Sequence, residues 1–373
     1  MRILFLNPFG MAFNVTTPQK QPLGGMASST CYLAQALAAR GHEVSLLSEL
    51  PSGTLPVMMG VHHLSIKPFW ADPEGFFRKR DDDVVITVNY LNVAPHIKKN
   101  LPKAVNIGWL HVFADQPAFA ALQTLERFLD GAVFVSGTLR DAFRLSIPNV
   151  VIPNAISPFF ENMFSSAEEL LAAKKNQAVY ASMPFRGLDI LVEVMSRIKG
   201  KLELEVYSSM RTYQEQDKKF PAVMAIFDAA RRNARIHQRG AVGQRTLADA
   251  FRRAAYLAYP STFIESYCIV AQEAMAAGLK VISNDLGALP ETTMGFADLL
   301  PVDGGKISRE DHVAGFTALL EKAEAEFQRD PRAWAETRFA QLQVVNREST
   351  WSRRAEQWEA VLAPAVAARK GGS

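Results

Sequence analysis

The sequence predicts an α/β fold made of two successive doubly wound parallel-sheet domains. Short apolar stretches alternate with helical stretches along most of the chain, and the alternation restarts after a turn-rich stretch at residues 150–160. The length of 373 residues suits two domains of ordinary size, and the 48% hydrophobic and 21% charged content is typical of a globular protein. Each half can therefore bury a core of its own.

The first half of the chain begins with a strand, a loop, a helix and a second strand. Residues 2–7 (RILFLN) predict a buried strand, residues 16–26 a glycine-bearing loop, and residues 27–41 a helix that stops at Gly41. HEVSLLS completes this βαβ unit, and DVVITVN, AVNIGWLH and GAVFVS predict further strands. Ser136 is interpreted as the cap of a short helix after the last of these strands.

A linker and a second series of elements follow. Residues 150–160 predict an interdomain linker, because their prolines and asparagine suit turns and cannot continue a helix. Strands at AVYAS, LELEVYSS, YLAYPS and KVISND then alternate with helices such as GLDILVEVMSRI and AIFDAARRNA. We therefore predict an N-terminal domain over residues 1–153 and a C-terminal domain over residues 154–349, both of them Rossmann-like.

The last predicted helix, over residues 350–366, carries two tryptophans on one face. The residues of that face are Trp351, Ala355, Trp358 and Leu362. Such a face buries a large area, either against the C-terminal domain or by crossing back onto the N-terminal domain.

Charge and cysteine content argue against several classes of protein. The net charge is +3, and neither half is strongly basic, so we expect no nucleic-acid partner. Cys31 and Cys268 cannot form a disulfide framework or a zinc site and suit small buried residues. The N-terminal apolar run is too short for a signal peptide or a membrane span, which predicts a cytoplasmic location.

One apolar segment, PSTFIESYCIVAQEAMAAG at residues 260–278, carries two acids eight positions apart, Glu265 and Glu273. We expect it to follow a strand, at the edge where open parallel sheets bind ligands. The helix is predicted to begin near Ser266 as N-cap, to end by Gly278 and to place Glu273 about two turns in. Its first free N–H groups, which favour phosphate, would belong to Tyr267, Cys268 and Ile269. Two acids at a helix start could otherwise simply complement the helix dipole.

This segment resembles the signature of the retaining glycosyltransferases of family 4, which have the GT-B fold. That signature is a Pro-Ser turn, a Glu, seven residues, a second Glu, Ala-Met-Ala and a Gly. LGGMASSTCYLAQALAARGHEVSLLS, VIPNAI, RGLDILVE and VISNDLGALPE resemble other family stretches in the matching order, from Met1 to about Glu291. The resemblance implies two Rossmann-like domains facing a central cleft. The N-terminal domain would bind the acceptor, the C-terminal domain would bind a nucleotide sugar, and the last helix would cross back onto the former.

The resemblance also implies roles for individual residues. Glu273 would hold the ribose hydroxyls, and Glu265 would contact the sugar near its anomeric carbon. Arg186, with the turn residues Ser266, Tyr267, Cys268 and Ile269, would bind the diphosphate. The remaining expected donor contacts are Gly24 and Gly25 near the phosphates, Val242 near the base and His111 at the donor sugar; Glu265 and His111 are the expected catalytic residues.

Two departures from the family pattern stand out. Ser182 and Met183 occupy the stretch where the family usually has an arginine, so diphosphate binding would depend on Arg186 alone or on Arg211 as well. Cys268 replaces a glycine, so its backbone must be comfortable without a positive φ.

The resemblance implies an enzyme that transfers a hexose-type sugar from a UDP- or GDP-sugar type of donor. The transfer would retain the configuration of the sugar and would need no metal or other cofactor. The acceptor would be a glycan, a lipid-linked molecule or a small molecule. Alternatives are a non-catalytic sugar-nucleotide-binding relative, a nucleotide-sugar epimerase, or an NAD-dependent oxidoreductase, although LGGMAS lacks the G-x-G-x-x-G fingerprint.

Residues 69–80 mix aromatic and basic residues, and such a mixture could contact a membrane peripherally. Asp81, Asp82 and Asp83 follow at once and oppose an anionic surface, which favours a solvated loop with core aromatics.

Overall fold

The computed structural model describes residues 1–8, 10–113 and 122–371, which form two compact units. Their ranges are Met1–Pro18, Gly24–Asn154 and Trp351–Ser373 for the first unit, and Gln19–Leu23 and Ala155–Thr350 for the second. The C-terminal helix thus belongs to the first unit. A short piece of the loop before the first long helix belongs to the second unit, although the sequence had placed it in the N-terminal domain.

The strands of the described residues build two sheets. In chain order they are β1 (Arg2–Leu6), β2 (Glu43–Ser48), β3 (Val57–Met58), β4 (Val61–Ser65), β5 (Val84–Val88), β6 (Val105–Leu110), β7 (Gly131–Phe134), β8 (Asn149–Val151), β9 (Lys175–Tyr180), β10 (Glu203–Val206), β11 (Ile236–Gln238), β12 (Ala254–Tyr259), β13 (Lys280–Asn284) and β14 (Asp298–Leu300). The sheet of the first unit has the order β3-β4-β2-β1-β5-β6-β7-β8, and that of the second unit β11-β10-β9-β12-β13-β14. Neighbouring strands are parallel except β3 and β4.

Both sheets are doubly wound, as predicted. In each unit the chain starts at a central strand, winds to one edge of the sheet, returns to the centre and winds to the other edge. The winding direction reverses between β1 and β5 in the first sheet and between β9 and β12 in the second. Ligands of open α/β sheets bind beyond the carboxyl ends of the strands at such switch points.

The α-helices alternate with these strands. In chain order they are α1 (Thr17–Lys20), α2 (Gly25–Ala39), α3 (Ile66–Ala71), α4 (Pro73–Arg78), α5 (Ala94–Asn100), α6 (Leu122–Leu125), α7 (Gly137–Asp141), α8 (Ala167–Ala173), α9 (Leu188–Arg197), α10 (Pro221–Arg231), α11 (Gln244–Arg253), α12 (Ile269–Ala276), α13 (Leu289–Thr293), α14 (Arg309–Arg329), α15 (Pro331–Glu348) and α16 (Trp351–Gly371). The predicted stop at Gly41 is confirmed, with φ at 87° just after α2. Ser136 caps α7, as predicted, by accepting from the Leu139 N–H at 3.0 Å.

Two predicted loops contain helices instead. The glycine-bearing loop before α2 includes the short helix α1. Residues 69–80, expected as a loop, contain the second half of α3 and all of α4, because Asp72 caps α4 with its carboxylate and Pro73 suits a first helical position. Phe69 and Phe77 are buried, as expected for core aromatics, whereas Trp70 is 48% exposed.

The C-terminal helix α16 packs on the first unit through its predicted apolar face. Trp351, Trp358 and the other two residues of that face are buried. The Trp358 ring lies 5.3 Å from the Trp109 ring of β6, and the Trp351 ring lies 6.2 Å from the Tyr32 ring of α2. The helix runs on to Gly371, beyond the predicted end at residue 366.

Candidate functional site

The candidate site of the second unit lies at the switch point of its sheet. Arg186 follows β9 and Glu265 follows β12, and these two strands are neighbours at the centre of the sheet. The Arg186 Nη1 atom lies 3.1 Å from Glu265 Oε1. Both side chains are largely buried, at 21% and 7% exposed, so the ion pair is shielded from water. The structure therefore brings together two residues predicted to contact the donor.

Two glycines allow the backbone segments around Arg186 and Glu265 to lie close to their neighbours. Gly187 has φ at 99°, and a Cβ at this position would overlap the Pro260 carbonyl oxygen. Gly287 has φ at 64°, and a Cβ there would overlap the backbone of Glu265. The Ala288 N–H donates to the Glu265 carbonyl at 2.7 Å. The backbone of Glu265 is thus held by the loop after β13, and the turn before α9 is held against the end of β12.

Aromatic residues surround the ion pair. The Tyr259 hydroxyl, at the end of β12, donates to Glu265 Oε1 at 2.5 Å. The Arg186 guanidinium lies 3.9 Å from the centre of the Phe263 ring, a cation–π distance. Burial raises the pKa of Glu265, while the Arg186 charge and the Tyr259 hydroxyl oppose that shift. The Glu265 charge in turn raises the pKa of Arg186. Arg186 and Tyr259 together hold the Glu265 carboxylate in one orientation.

Glu273 lies in α12 and is 3% exposed. Its Oε1 atom accepts from the Ser157 N–H at 3.3 Å. Burial raises the pKa of Glu273 to about 8, and the Ser157 hydrogen bond only partly opposes that shift. A vicinal diol donating two hydrogen bonds would favour the ionised form. Glu273 is thus a carboxylate that a hydroxyl-rich ligand would stabilise, which is compatible with the predicted ribose contact.

The start of α12 differs from the prediction. The helix begins at Ile269 with Cys268 as its N-cap, not near Ser266. The Ala271 N–H already bonds to the Cys268 carbonyl at 3.1 Å, so Ile269 and Val270 carry the first helical N–H groups. The extended loop after β12 therefore runs further than the capping preference of serine indicated, and Glu273 lies about one turn into α12 rather than two.

Other predictions for this segment are confirmed. Cys268 has φ at −90°, so the family's glycine is not needed there. The helix ends before Gly278, whose φ is 71°. Cys268 is 3% exposed and Cys31 is fully buried, and both are free cysteines. Burial raises the pKa of the Cys268 thiol, and the charges of Glu265 and Glu273 add to this shift, so the three groups share one neighbourhood. The diphosphate contacts of Ser266, Tyr267, Cys268 and Ile269 stay predictions.

Val242 and Arg211 also lie in the second unit. Val242 is half-buried in the loop between β11 and α11. Arg211 is exposed in the 3₁₀ helix Met210–Tyr213, and Tyr213 of that helix is within electrostatic reach of Arg186. Both residues thus follow strands at the carboxyl edge of the sheet, and their contacts with the base and the diphosphate stay predictions.

Three predicted site residues belong to the first unit. Gly24 is the N-cap of α2 and Gly25 its first residue, and the φ of −59° at Gly24 suits any residue. His111 follows β6, and its backbone N–H donates to Asn89 Oδ1 at 2.8 Å. Burial lowers the pKa of His111 to about 3, so its imidazole is neutral at physiological pH. The predicted donor contacts of these residues stay predictions.

Sequence reasoning missed Tyr259, Phe263 and Ser157. Tyr259 could have been found as the residue before the Pro-Ser turn, because it ends the strand that carries the site. The Ser157 contact had no sequence signal, since its partner lies 116 positions away.

The described residues contain neither a candidate metal centre nor a membrane-spanning helix. Within residues 1–8, 10–113 and 122–371, no three His, Cys, Asp or Glu side chains group in a way that could hold a metal ion. Over the same ranges, the helices are all too short or too polar to cross a membrane.

Comparison with known proteins adds a family match and a fold match. Residues 177–321 match the family model of the glycosyl transferases group 1. No curated protein sequence matches the chain. Among solved structures, sucrose-phosphate synthase from Thermosynechococcus elongatus aligns with a TM-score of 0.71 and 19% identity, over 99% of this chain and 100% of that one.

Two further structures agree. Anabaena HepE, solved in complex with UDP and glucose, aligns with a TM-score of 0.71 and 15% identity, over 98% of this chain and 100% of that one. WaaG, a glycosyltransferase involved in lipopolysaccharide biosynthesis, aligns with a TM-score of 0.68 and 15% identity, over 97% of this chain and 99% of that one. The predicted GT-B fold is thereby confirmed. Residues 177–321, which match the model of the glycosyl transferases group 1, include Arg186, Glu265 and Glu273.

Proposed function

We propose that this protein is a retaining glycosyltransferase that moves a hexose-type sugar from a nucleoside-diphosphate sugar to an acceptor without a metal ion. The carrying observation is the buried, pre-oriented Glu265, paired with Arg186 at the switch point of a unit that matches glycosyl transferases group 1. The same match favours glycosyl transfer over the epimerase and the NAD-dependent oxidoreductase considered from the sequence. The acceptor is a glycan, a lipid-linked molecule or a small molecule.

The site residues divide the work between holding the donor and assisting departure of its diphosphate. Glu273 binds the ribose diol as an ionised acceptor of two hydrogen bonds. Arg186 and the N–H groups at the start of α12 stabilise the charge that develops on the leaving diphosphate. Glu265 and the neutral His111 contact the sugar, and the leaving phosphate takes the proton of the attacking acceptor hydroxyl.

A thermal-shift panel of UDP-, GDP-, ADP- and dTDP-sugars tests the donor class. HepE was solved with UDP, so UDP-sugars are the first to try. A ligand at a hundredfold over its Kd adds roughly 2.7 kcal/mol to the free energy of unfolding, which should raise the Tm by about 5 °C. No shift with any of the four sugars would contradict the proposal.

A non-catalytic sugar-nucleotide-binding protein is the second candidate, because Ser182 and Met183 stand where relatives usually carry an arginine. This candidate predicts the same thermal shift without any release of free sugar from the donor. Slow hydrolysis of the stabilising donor, followed by chromatography of the sugar, separates the two functions.

A further inference from the structure

A short segment of the N-terminal half, residues 19–23, is part of the second unit, and we call it the strap. The strap contacts the loop between β11 and α11. A Cβ added to Gly243 would lie 2.6 Å from the carbonyl carbon of Lys20, 2.9 Å from the carbonyl oxygen of Gln19 and 2.9 Å from the backbone nitrogen of Gln21. All three are backbone atoms, so no change of side-chain rotamer could make room for a larger residue.

The glycine at position 243 is explained by this contact and not by its own conformation. Gly243 has φ at −71° and ψ at 161°, which every residue adopts readily. A glycine in such a conformation is needed where another backbone approaches closely. Gly243 therefore forms a seat for the strap.

The seat lies beside the predicted nucleotide site. Gly243 directly follows Val242, the residue expected near the base, and it is the N-cap of α11. It comes after β11, at the carboxyl edge of the sheet that also carries Arg186 and Glu265. The strap is thus held at the ligand-binding edge of the second unit, although it comes from the other end of the chain.

The strap carries one charge. Lys20 is exposed, and its ammonium group makes no ion pair with any residue that the structure describes. Arg186, by contrast, is already paired with Glu265. Ser182 and Met183 supply no charge to the loop after β9, so a diphosphate bound at this edge would gain from a further cation.

We propose that the strap is a nucleotide-binding element of the second unit and that Lys20 contacts the diphosphate of the donor. This inference rests on the proposed function. An ammonium group on a flexible stem is a suitable point charge for phosphate oxygens. The strap then supplies a cation that relatives obtain from the loop after β9.

Isothermal titration of the full chain with UDP, GDP and ADP, and with the matching nucleosides, tests whether the Lys20 charge contacts the diphosphate. For the diphosphate that binds, we expect Lys20→Ala to raise the Kd by about tenfold while changing the Kd of its nucleoside by less than about twofold. Lys201→Ala is the matched control, because Lys201 is also exposed but precedes β10, at the opposite edge of the sheet. Equal Kd values for wild type and Lys20→Ala overturn this inference alone. A wild type that binds none of the three overturns the proposed function as well.

Trypsin cleavage after Lys20 tests the seat. Gly243→Ala should displace the strap and speed cleavage of the Lys20–Gln21 bond by about tenfold or more, because local opening exposes the bond. The φ at position 243 suits alanine, so α11 should remain folded, which far-UV circular dichroism verifies. A diphosphate that binds the wild type should slow the same cleavage. Unchanged cleavage in folded Gly243→Ala overturns the inference.

Discussion

The carboxyl edges of the two sheets differ in charge. At the described strand ends of the first unit the buried polar residues are neutral: Asn7, Ser48, Asn89, His111 and Ser136. At the edge of the second unit, Glu265 and Glu273 are almost completely buried and Arg186 is largely buried. Two sheets with the same winding therefore present chemically different edges.

This difference indicates what each edge is suited to bind. A buried ion pair often stabilises a fold no more than apolar residues of the same size would, because desolvation offsets most of the attraction between the charges. Strongly perturbed carboxylates at a ligand-binding edge are typical of functional sites. The charged edge of the second unit suits a charged, hydroxyl-rich ligand such as a nucleotide sugar. The neutral edge of the first unit suits an uncharged part of a substrate.

Replacing Glu265 by glutamine should have the strongest effect on the charged edge of the second unit. The amide keeps acceptors for Arg186 and Tyr259 but removes the charge, so we expect donor binding to persist. Transfer should fall by roughly 10³-fold, about 4 kcal/mol of barrier, as when one preorganised electrostatic contact is lost. The measurement is the rate of sugar transfer or donor hydrolysis at saturating donor.

Glu273→Ala is the contrasting variant, since its expected defect is nucleotide binding. Normal transfer by both variants would remove the basis for the proposed function. If Glu265→Gln also lost donor binding, the two carboxylates would not have the separate roles in donor binding and sugar transfer that we propose.

The next largest effect concerns the backbone of the charged edge. Gly187→Ala places a Cβ on the Pro260 carbonyl at a φ of 99°, so we expect the free energy of unfolding to fall by about 3 kcal/mol. Gly240→Ala is the matched control, because Gly240 has φ at 72° but open space around its Cβ, and should cost only about 1 kcal/mol. Urea unfolding of both variants provides the comparison. Equal losses would mean that the contact with Pro260 is unimportant.

The two edges should also respond to pH in opposite directions. Between pH 4.5 and about 8 the folded Glu273 keeps a proton that the unfolded chain releases, so the free energy of unfolding falls as pH rises. Between pH 6.5 and about 3 the unfolded chain binds a proton at His111 that the folded state excludes, so the free energy of unfolding falls as pH drops.

Single variants separate these contributions. Glu273→Gln should gain about 1–2 kcal/mol relative to wild type on going from pH 5 to pH 8, and His111→Gln should gain a similar amount on going from pH 7 to pH 4. Urea unfolding at each pH measures both differences. If either variant parallels the wild type across its window, that residue does not titrate as its burial requires.

The aromatic and basic residues at positions 69–80 should bind a membrane only weakly. Arg78 pairs with Glu74 and Arg80 pairs with Asp82, so two of the three consecutive basic residues at positions 78–80 are neutralised. We therefore expect less than about a twofold increase in pelleting with anionic liposomes at low salt. Trp70→Ser serves as the comparison, since Trp70 is half-exposed there. Strong pelleting of the wild type that is lost in Trp70→Ser would instead support peripheral membrane contact through this segment.

Local sequence predicted much of the fold but misplaced several boundaries. Gly41 and Ser136 act as predicted, because each meets a need of its own helix end. Ser266 does not cap α12, because the loop after β12 stays extended where Ala288 bonds to Glu265. The preference of serine for an N-cap position is worth only about 1 kcal/mol, and the backbone contact between Ala288 and Glu265 outweighs it here.

The alternation of strands and helices could be predicted from local patterns, because it depends on side-chain periodicity. The spacing of the two carboxylates is likewise a property of the residues alone. Three contacts could not be predicted in this way: Arg186 with Glu265, Ser157 with Glu273, and the strap with the second unit. Each of these joins residues far apart in sequence. Such pairings depend on how sheets and loops pack, which no local pattern encodes.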